Sequence, residues 1–184
     1  MTKTAIVNVV ATAALNQELD LDELAKFREI LHDSVVYGGR VAYFKSPKMK
    51  GKVSIFASGK MISVGTKSEE EAFHELEHTK GFLIEKGFIK STRSLDRSFL
   101  QPKIRNIVVV TEFGKSVNLE ELSLRKRMIY EPEQFPGGIM RIERPFKATV
   151  LIFSSGKAVI AGLRSSKQIN PTIQKLKDII KTSM

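Results

Sequence analysis

Two stretches of this 184-residue chain repeat each other in order, and a repeat constrains architecture before any single residue does. Ile6-Val7-Asn8-Val9-Val10 returns as Ile104-Arg105-Asn106-Ile107-Val108, and Leu21-Asp22-Glu23-Leu24 as Leu119-Glu120-Glu121-Leu122, each 98 positions on. Gly39 and Pro47 meet Gly137 and Pro145 at the same spacing. Beyond Pro47 the spacing is 97: Val53-Ser54-Ile55-Phe56-Ala57-Ser58-Gly59-Lys60 faces Val150-Leu151-Ile152-Phe153-Ser154-Ser155-Gly156-Lys157, and Gly65 faces Gly162. That change predicts one extra residue in the Lys48–Lys52 turn of the first copy. Two copies are too few for an open solenoid. The expectation is therefore two halves about a pseudo-twofold axis: residues 1–90, a connector at 91–103, and residues 104–184.

Each copy has the same order of elements. The β-branched run at 5–12 predicts a buried strand. Asp20 with Glu23, followed by Leu21, Leu24, Phe27 and Ile30 at helical spacing, predicts a helix, and Asn118 with Glu121 repeats the start signal. Strands are expected near 35–46, 52–57 and 61–65, with Ser58-Gly59 turning a hairpin. A second helix closes each copy. Ser68 and Glu71 start the first, with Phe73, Leu76, Leu83 and Ile84 as its apolar stripe; Asn170 caps the second, Pro171 takes its first position, and Ile173, Leu176 and Ile180 face inward.

Strand, helix, four strands and helix, taken twice, predict an α+β fold whose broad antiparallel sheet carries helices on one face only. The opposite face keeps Val10, Phe56, Ile62, Val108, Phe153 and Val159. A sheet face left to water is normally polar, so an apolar one is expected to bind something. The net charge of +10, from 30 Lys and Arg against 20 Asp and Glu, makes a polyanion the expected partner.

Several chemistries are disfavoured. The absence of cysteine excludes disulfides, thiolate zinc sites and cysteine nucleophiles. No apolar run is long enough for a spanning helix and no signal peptide is evident, so no membrane association is expected. His74-Glu75-Leu76-Glu77-His78 fits the zinc-protease helix pattern. His32 is the only other histidine, however, and the surrounding charge favours a solvated helix face. Gly38-Gly39-Arg40 lacks the lysine and hydroxyl of a phosphate loop and is expected to be a turn. Phe27, Phe73, Phe82 and Phe88 are expected in the core. No cofactor, metal or enzymatic activity is anticipated.

Tyr130-Glu131-Pro132-Glu133-Gln134-Phe135-Pro136-Gly137, with Arg141, Pro145, Leu151-Ile152-Phe153-Ser154-Ser155-Gly156-Lys157 and Gly162, resembles the second repeat of the TATA-box-binding protein family. The two-copy layout and the paired asparagines extend the resemblance over nearly the whole chain. It implies a saddle-shaped, curved antiparallel sheet, helices on its convex face, and insertion of phenylalanines between base steps of an A·T-rich minor groove. Phe135 and Phe153 match the second wedge pair, with Pro136 beside them. Phe56 matches one member of the first pair, and Tyr37 stands at the other, where its hydroxyl would lose water unless it found a new partner.

The resemblance further implies that Asn8 and Asn106 donate to minor-groove acceptors. Val10, Ile62, Val108, Leu151 and Val159 match the apolar floor. Ser54 departs from an expected leucine, and Val64 and Ala161 depart from threonines. Lys60, Lys67, Arg141, Lys157 and Arg164 match phosphate-binding positions, with Ser58 and Ser155 as neutral donors; Tyr43 stands where the first copy would mirror Arg141. Glu131 and Glu133 match the acidic loop presented to a transcription factor B partner, through which RNA polymerase is recruited indirectly.

The form of the Tyr130–Gly137 motif and the short N-terminus resemble archaeal members, implying a cytoplasmic location; a eukaryotic member would be nuclear. An uncovered apolar face also admits a homodimer in the absence of double-stranded DNA. The alternative function is a divergent regulator, acting mainly through protein contacts, whose first copy has lost DNA specificity.

Overall fold

The computed structural model describes residues 3–33, 35–89, 100–125 and 127–181, with only the backbone of 36 and 37. The chain divides into two compact units. The N-terminal unit is Asn8–Arg105; the C-terminal unit is Asn106–Met184 together with Met1–Val7. Most of the expected connector lies outside the described residues.

In chain order the N-terminal half holds β1 (Lys3–Ala14), α1 (Leu21–Leu24), β2 (Ile30–His32), β3 (Val41–Phe44), β4 (Lys52–Phe56), β5 (Lys60–Thr66) and α2 (Glu69–Glu85). The C-terminal half holds β6 (Lys103–Glu112), α3 (Leu119–Arg125), β7 (Met128–Ile129), β8 (Gly137–Ile142), β9 (Ala148–Phe153), β10 (Lys157–Leu163) and α4 (Ile169–Ile180). Antiparallel pairing runs β2-β3-β4-β5-β1 in the first unit and β6-β10-β9-β8-β7 in the second.

Side chains alternate across these strands with period two. Val53, Ile55, Met61 and Ser63 are buried on one face of the N-terminal sheet, and Val150, Ile152, Ala158 and Ile160 on the matching face of the C-terminal sheet. Helix α2 supplies Ala72, Leu76, Phe82 and Leu83 to the core, and α4 supplies Ile169, Ile173, Leu176 and Ile180. Phe82 is buried as expected, whereas Phe27, Phe73, Ile84 and Phe88 are half-buried.

The helix starts behave as the caps dictate. Asp20 Oδ1 accepts from the N–H groups of Asp22 and Glu23, and Asn118 Oδ1 from Glu121 N–H at 3.0 Å. Ser68 Oγ accepts from Glu71 N–H at 3.0 Å, while the Glu71 carboxylate accepts from Lys67 N–H at 2.9 Å. Three expectations need correction. Helix α1 stops after Leu24, because Phe27 packs edge-on against Phe82 and Phe88 and Ile30 enters β2 opposite Phe44. The expected strand over 35–46 is a 3-10 turn at Val36–Gly39 followed by β3. Asn170 does not cap α4: a 3-10 turn at Ser166–Gln168 leads into it, leaving Pro171 in the first turn, where a missing N–H costs nothing.

Strand register also revises the repeat. Val41 pairs with Phe56 and Phe44 with Val53, while Gly137 pairs with Phe153 and Met140 with Val150. Val41 is thus the counterpart of Gly137, 96 positions on, and the hairpin between the third and fourth strands is one residue longer in the second copy, not the first. Lys45, rather than Tyr43, is the register mate of Arg141.

Candidate nucleic-acid interface

Opposite the helices, each sheet presents an apolar face that is only half-buried. In the N-terminal unit it comprises Asn8, Val10, Ser54, Phe56, Ile62 and Val64; in the C-terminal unit, Asn106, Val108, Leu151, Phe153, Val159 and Ala161. The edge strands extend it. Leu31 of β2 faces Tyr43 and is 71% exposed, and Ile129 of β7 faces Ile139 and is 63% exposed. Neither residue is legible in the sequence, because Ile30 continues the helical spacing of α1 and β7 is two residues long.

The two asparagines are held in the same way. Asn8 Oδ1 accepts from Gly65 N–H at 2.8 Å, and Asn106 Oδ1 from Gly162 N–H at 2.7 Å. Both glycines lie in the left-handed region, at φ +92° and +101°, beside register shifts in the β1–β5 and β6–β10 ladders. A backbone N–H can only donate, so the oxygen of each amide must face it. Each NH2 group remains as a pair of outward donors on an apolar face.

Two matched hairpins position the neutral donors and two of the cations. Gly59 N–H reaches Phe56 O at 2.8 Å, and Gly156 N–H reaches Phe153 O at 2.9 Å. Their carbonyls accept from Leu15 and Phe113 N–H. A Cβ at Gly59 would come within 2.1 Å of Gln17 O, and one at Gly156 within 2.0 Å of Lys115 O. These turns leave Ser58, Lys60, Ser155 and Lys157 exposed. Lys67, Arg141 and Arg164 are exposed too, and none of the five cations makes an ion pair among the described residues.

The units differ at their aromatic ends. Phe135 and Phe153 lie 5.8 Å apart between ring centroids at 60°. A Cβ on Gly137 would come within 2.9 Å of one ring and 3.0 Å of the other. Phe135 follows a tight turn in which Glu131 O accepts from Gln134 and Phe135 N–H, leaving Glu131, Glu133 and Pro136 exposed. In the N-terminal unit Val41 replaces Gly137 and is buried. Tyr37 lies four residues before Val41, whereas Phe135 lies two before Gly137; the tyrosine side chain is outside the described residues.

The lysine hairpin is largely occupied internally. Lys45 Nζ donates to the carbonyls of Met49, Lys50 and Gly51. Lys50 pairs with Glu71, and Lys52 Nζ sits 4.6 Å from the Tyr43 ring centroid. The Lys50 ammonium and the Lys67 N–H hold the Glu71 carboxyl below the ordinary glutamate range.

The zinc-protease pattern on α2 does not form a centre: no group of three metal-ligating side chains occurs among the described residues. His74 is exposed, but His78 is not solvated as expected. Its Nε2 meets Ser46 Oγ at 2.9 Å, and its ring lies 5.7 Å from that of Phe44. Glu75 is buried and accepts from Gly51 N–H at 2.8 Å. No helix among the described residues is long and apolar enough to cross a membrane.

Residues 3–83 and 101–183 each match the family model described as transcription factor TFIID, or TATA-binding protein. The chain belongs to the TATA-box-binding protein family. It is 36% identical to the TATA-box-binding protein of Cenarchaeum symbiosum over 91% of this chain and 88% of that protein. It is 34% identical to that of Methanococcus aeolicus over 96% and 93%. Among solved structures, Methanococcus jannaschii TBP is similar with a TM-score of 0.81 and 32% identity, covering 98% of this chain and 99% of that one. The expected fold class is thereby shown, and the TATA-box-binding family consists of transcription factors rather than enzymes.

Proposed function

We propose that the chain is a general initiation factor that binds and bends A·T-rich promoter duplexes through the minor groove. The observation carrying this is the paired asparagine geometry. Two outward amide donors on apolar strands suit the purine N3 and thymine O2 acceptors of A·T pairs, and the surrounding aliphatics disfavour the guanine amino group. Phe135 and Phe153 act as one wedge, and Phe56 belongs to the other, with Tyr37 proposed beside it. Lys60, Lys67, Arg141, Lys157 and Arg164 neutralise phosphates.

Glu131 and Glu133 are proposed to engage a transcription factor B partner, which in turn brings RNA polymerase. Archaeal relatives support action in a cytoplasm. Charge reversal of both glutamates should abolish the ternary complex in a gel-shift titration while leaving the binary DNA complex unchanged. Loss of both complexes together would remove the loop from the partner interface.

The main test is fluorescence anisotropy with A·T-rich and G·C-rich duplexes over a salt series. The expected result is A·T preference of at least about a thousandfold, the lower range for specific over non-specific sites. Equal affinity would instead favour a regulator working through protein contacts, a second reading supported by the polar Tyr43–Ser54 pair.

A further inference from the structure

The two apolar faces also differ in polarity at one cross-strand position. Inward of Phe153, the C-terminal unit pairs Ile139 with Leu151, and Leu151 with Val159. At the equivalent place inward of Phe56, the N-terminal unit pairs Tyr43 with Ser54, and Ser54 with Ile62. Both Tyr43 and Ser54 are half-buried, and neither hydroxyl has a hydrogen-bond partner among the described residues. The Tyr43 ring is held from one side by Lys52 Nζ.

We infer that Tyr43 and Ser54 determine half-site specificity, accepting the minor-groove amino group of a guanine so that the half-site beneath the N-terminal unit admits a G·C pair. This rests on the minor-groove function proposed above. Guanine differs from adenine in that groove by its N2 amino donor. Against Ile139 and Leu151 that donor loses water and gains no acceptor, which is costly. Against Ser54 it meets a hydroxyl oxygen with free lone pairs. The side chain is also smaller than leucine, so the amino group need not displace the sheet. The C-terminal half-site should remain restricted to A·T, making the preferred site asymmetric in composition.

The experiment places one G·C pair just inside either predicted kink of an A·T-rich duplex, with an inosine·C pair at the same place as control. Inosine lacks the amino group and resembles adenine in the minor groove. The chain has no cysteine, so an iron chelate tethered to Glu143→Cys, an exposed position in the β8–β9 hairpin, assigns which half lies under which unit. G·C beneath the C-terminal unit should weaken binding by at least about tenfold and inosine should restore it; beneath the N-terminal unit G·C should cost less than about threefold. Ser54→Leu should raise that second penalty to about tenfold, and Leu151→Ser should relax the first. Equal penalties in both halves, or a Ser54→Leu variant with an unchanged profile, would overturn the inference. If inosine·C fails to replace A·T throughout the site, the minor-groove function itself falls, and the inference falls with it.

Discussion

Asn8 and Asn106 can be read in isolation because their chemistry is one-sided. Each oxygen is held by Gly65 or Gly162, so only donors face outward. Replacing either by aspartate preserves the glycine bond and turns the donor into an anionic acceptor. Asn8→Asp and Asn106→Asp should each lower affinity for an A·T-rich duplex by more than about tenfold with little change in melting temperature. A parallel loss of stability would show that these residues serve the fold instead. Both asparagines were legible in the sequence because they recur inside well-matched strands. The Arg141 counterpart was not: similarity fades between α1 and β3, and only hydrogen-bond register assigns Lys45 there. The glycines holding the asparagines were legible as repeated letters, but their task was invisible without the bond.

Among the elements, the β4–β5 and β9–β10 hairpins were the most legible, since their turn glycines sit in the repeat itself. Gly156 has φ +79° and would press a Cβ into Lys115 O. Gly156→Ala should therefore cost about 3 kcal/mol in urea unfolding, from backbone strain and overpacking together. Helix α1 was misjudged for a physical reason: apolar spacing of three continues through Phe27 and Ile30, but aromatic packing on α2 takes Phe27 and a strand takes Ile30. The start of α2 carries a pH dependence. Glu71 has its folded pKa depressed, so its contribution is present above the unfolded pKa and fades as pH falls through the lower, folded value. Glu71→Gln should flatten the acid limb of stability at and below the ordinary glutamate range in denaturant titrations. An unchanged limb would mean that the exposed Lys50–Glu71 pair contributes nothing measurable.

At the scale of the whole molecule, charge rather than shape makes the sharpest prediction. Five exposed cations that make no ion pair among the described residues should displace about five counterions from duplex DNA, giving a slope near −4.5 for log affinity against log salt. A slope near zero would detach the basic surface from binding altogether. The duplication leaves a different mark on the chain. Lys3–Val7 belong with the C-terminal unit, where Thr4 Oγ1 meets Thr111 Oγ1 at 3.0 Å, while the rest of β1 belongs with the N-terminal unit. The N-terminal unit is thus one continuous stretch of chain, whereas the C-terminal unit also draws on residues that open β1, about a hundred positions ahead of its own first strand. A cut ahead of Asn8 would therefore remove residues from the C-terminal unit while leaving the N-terminal unit's own segment whole.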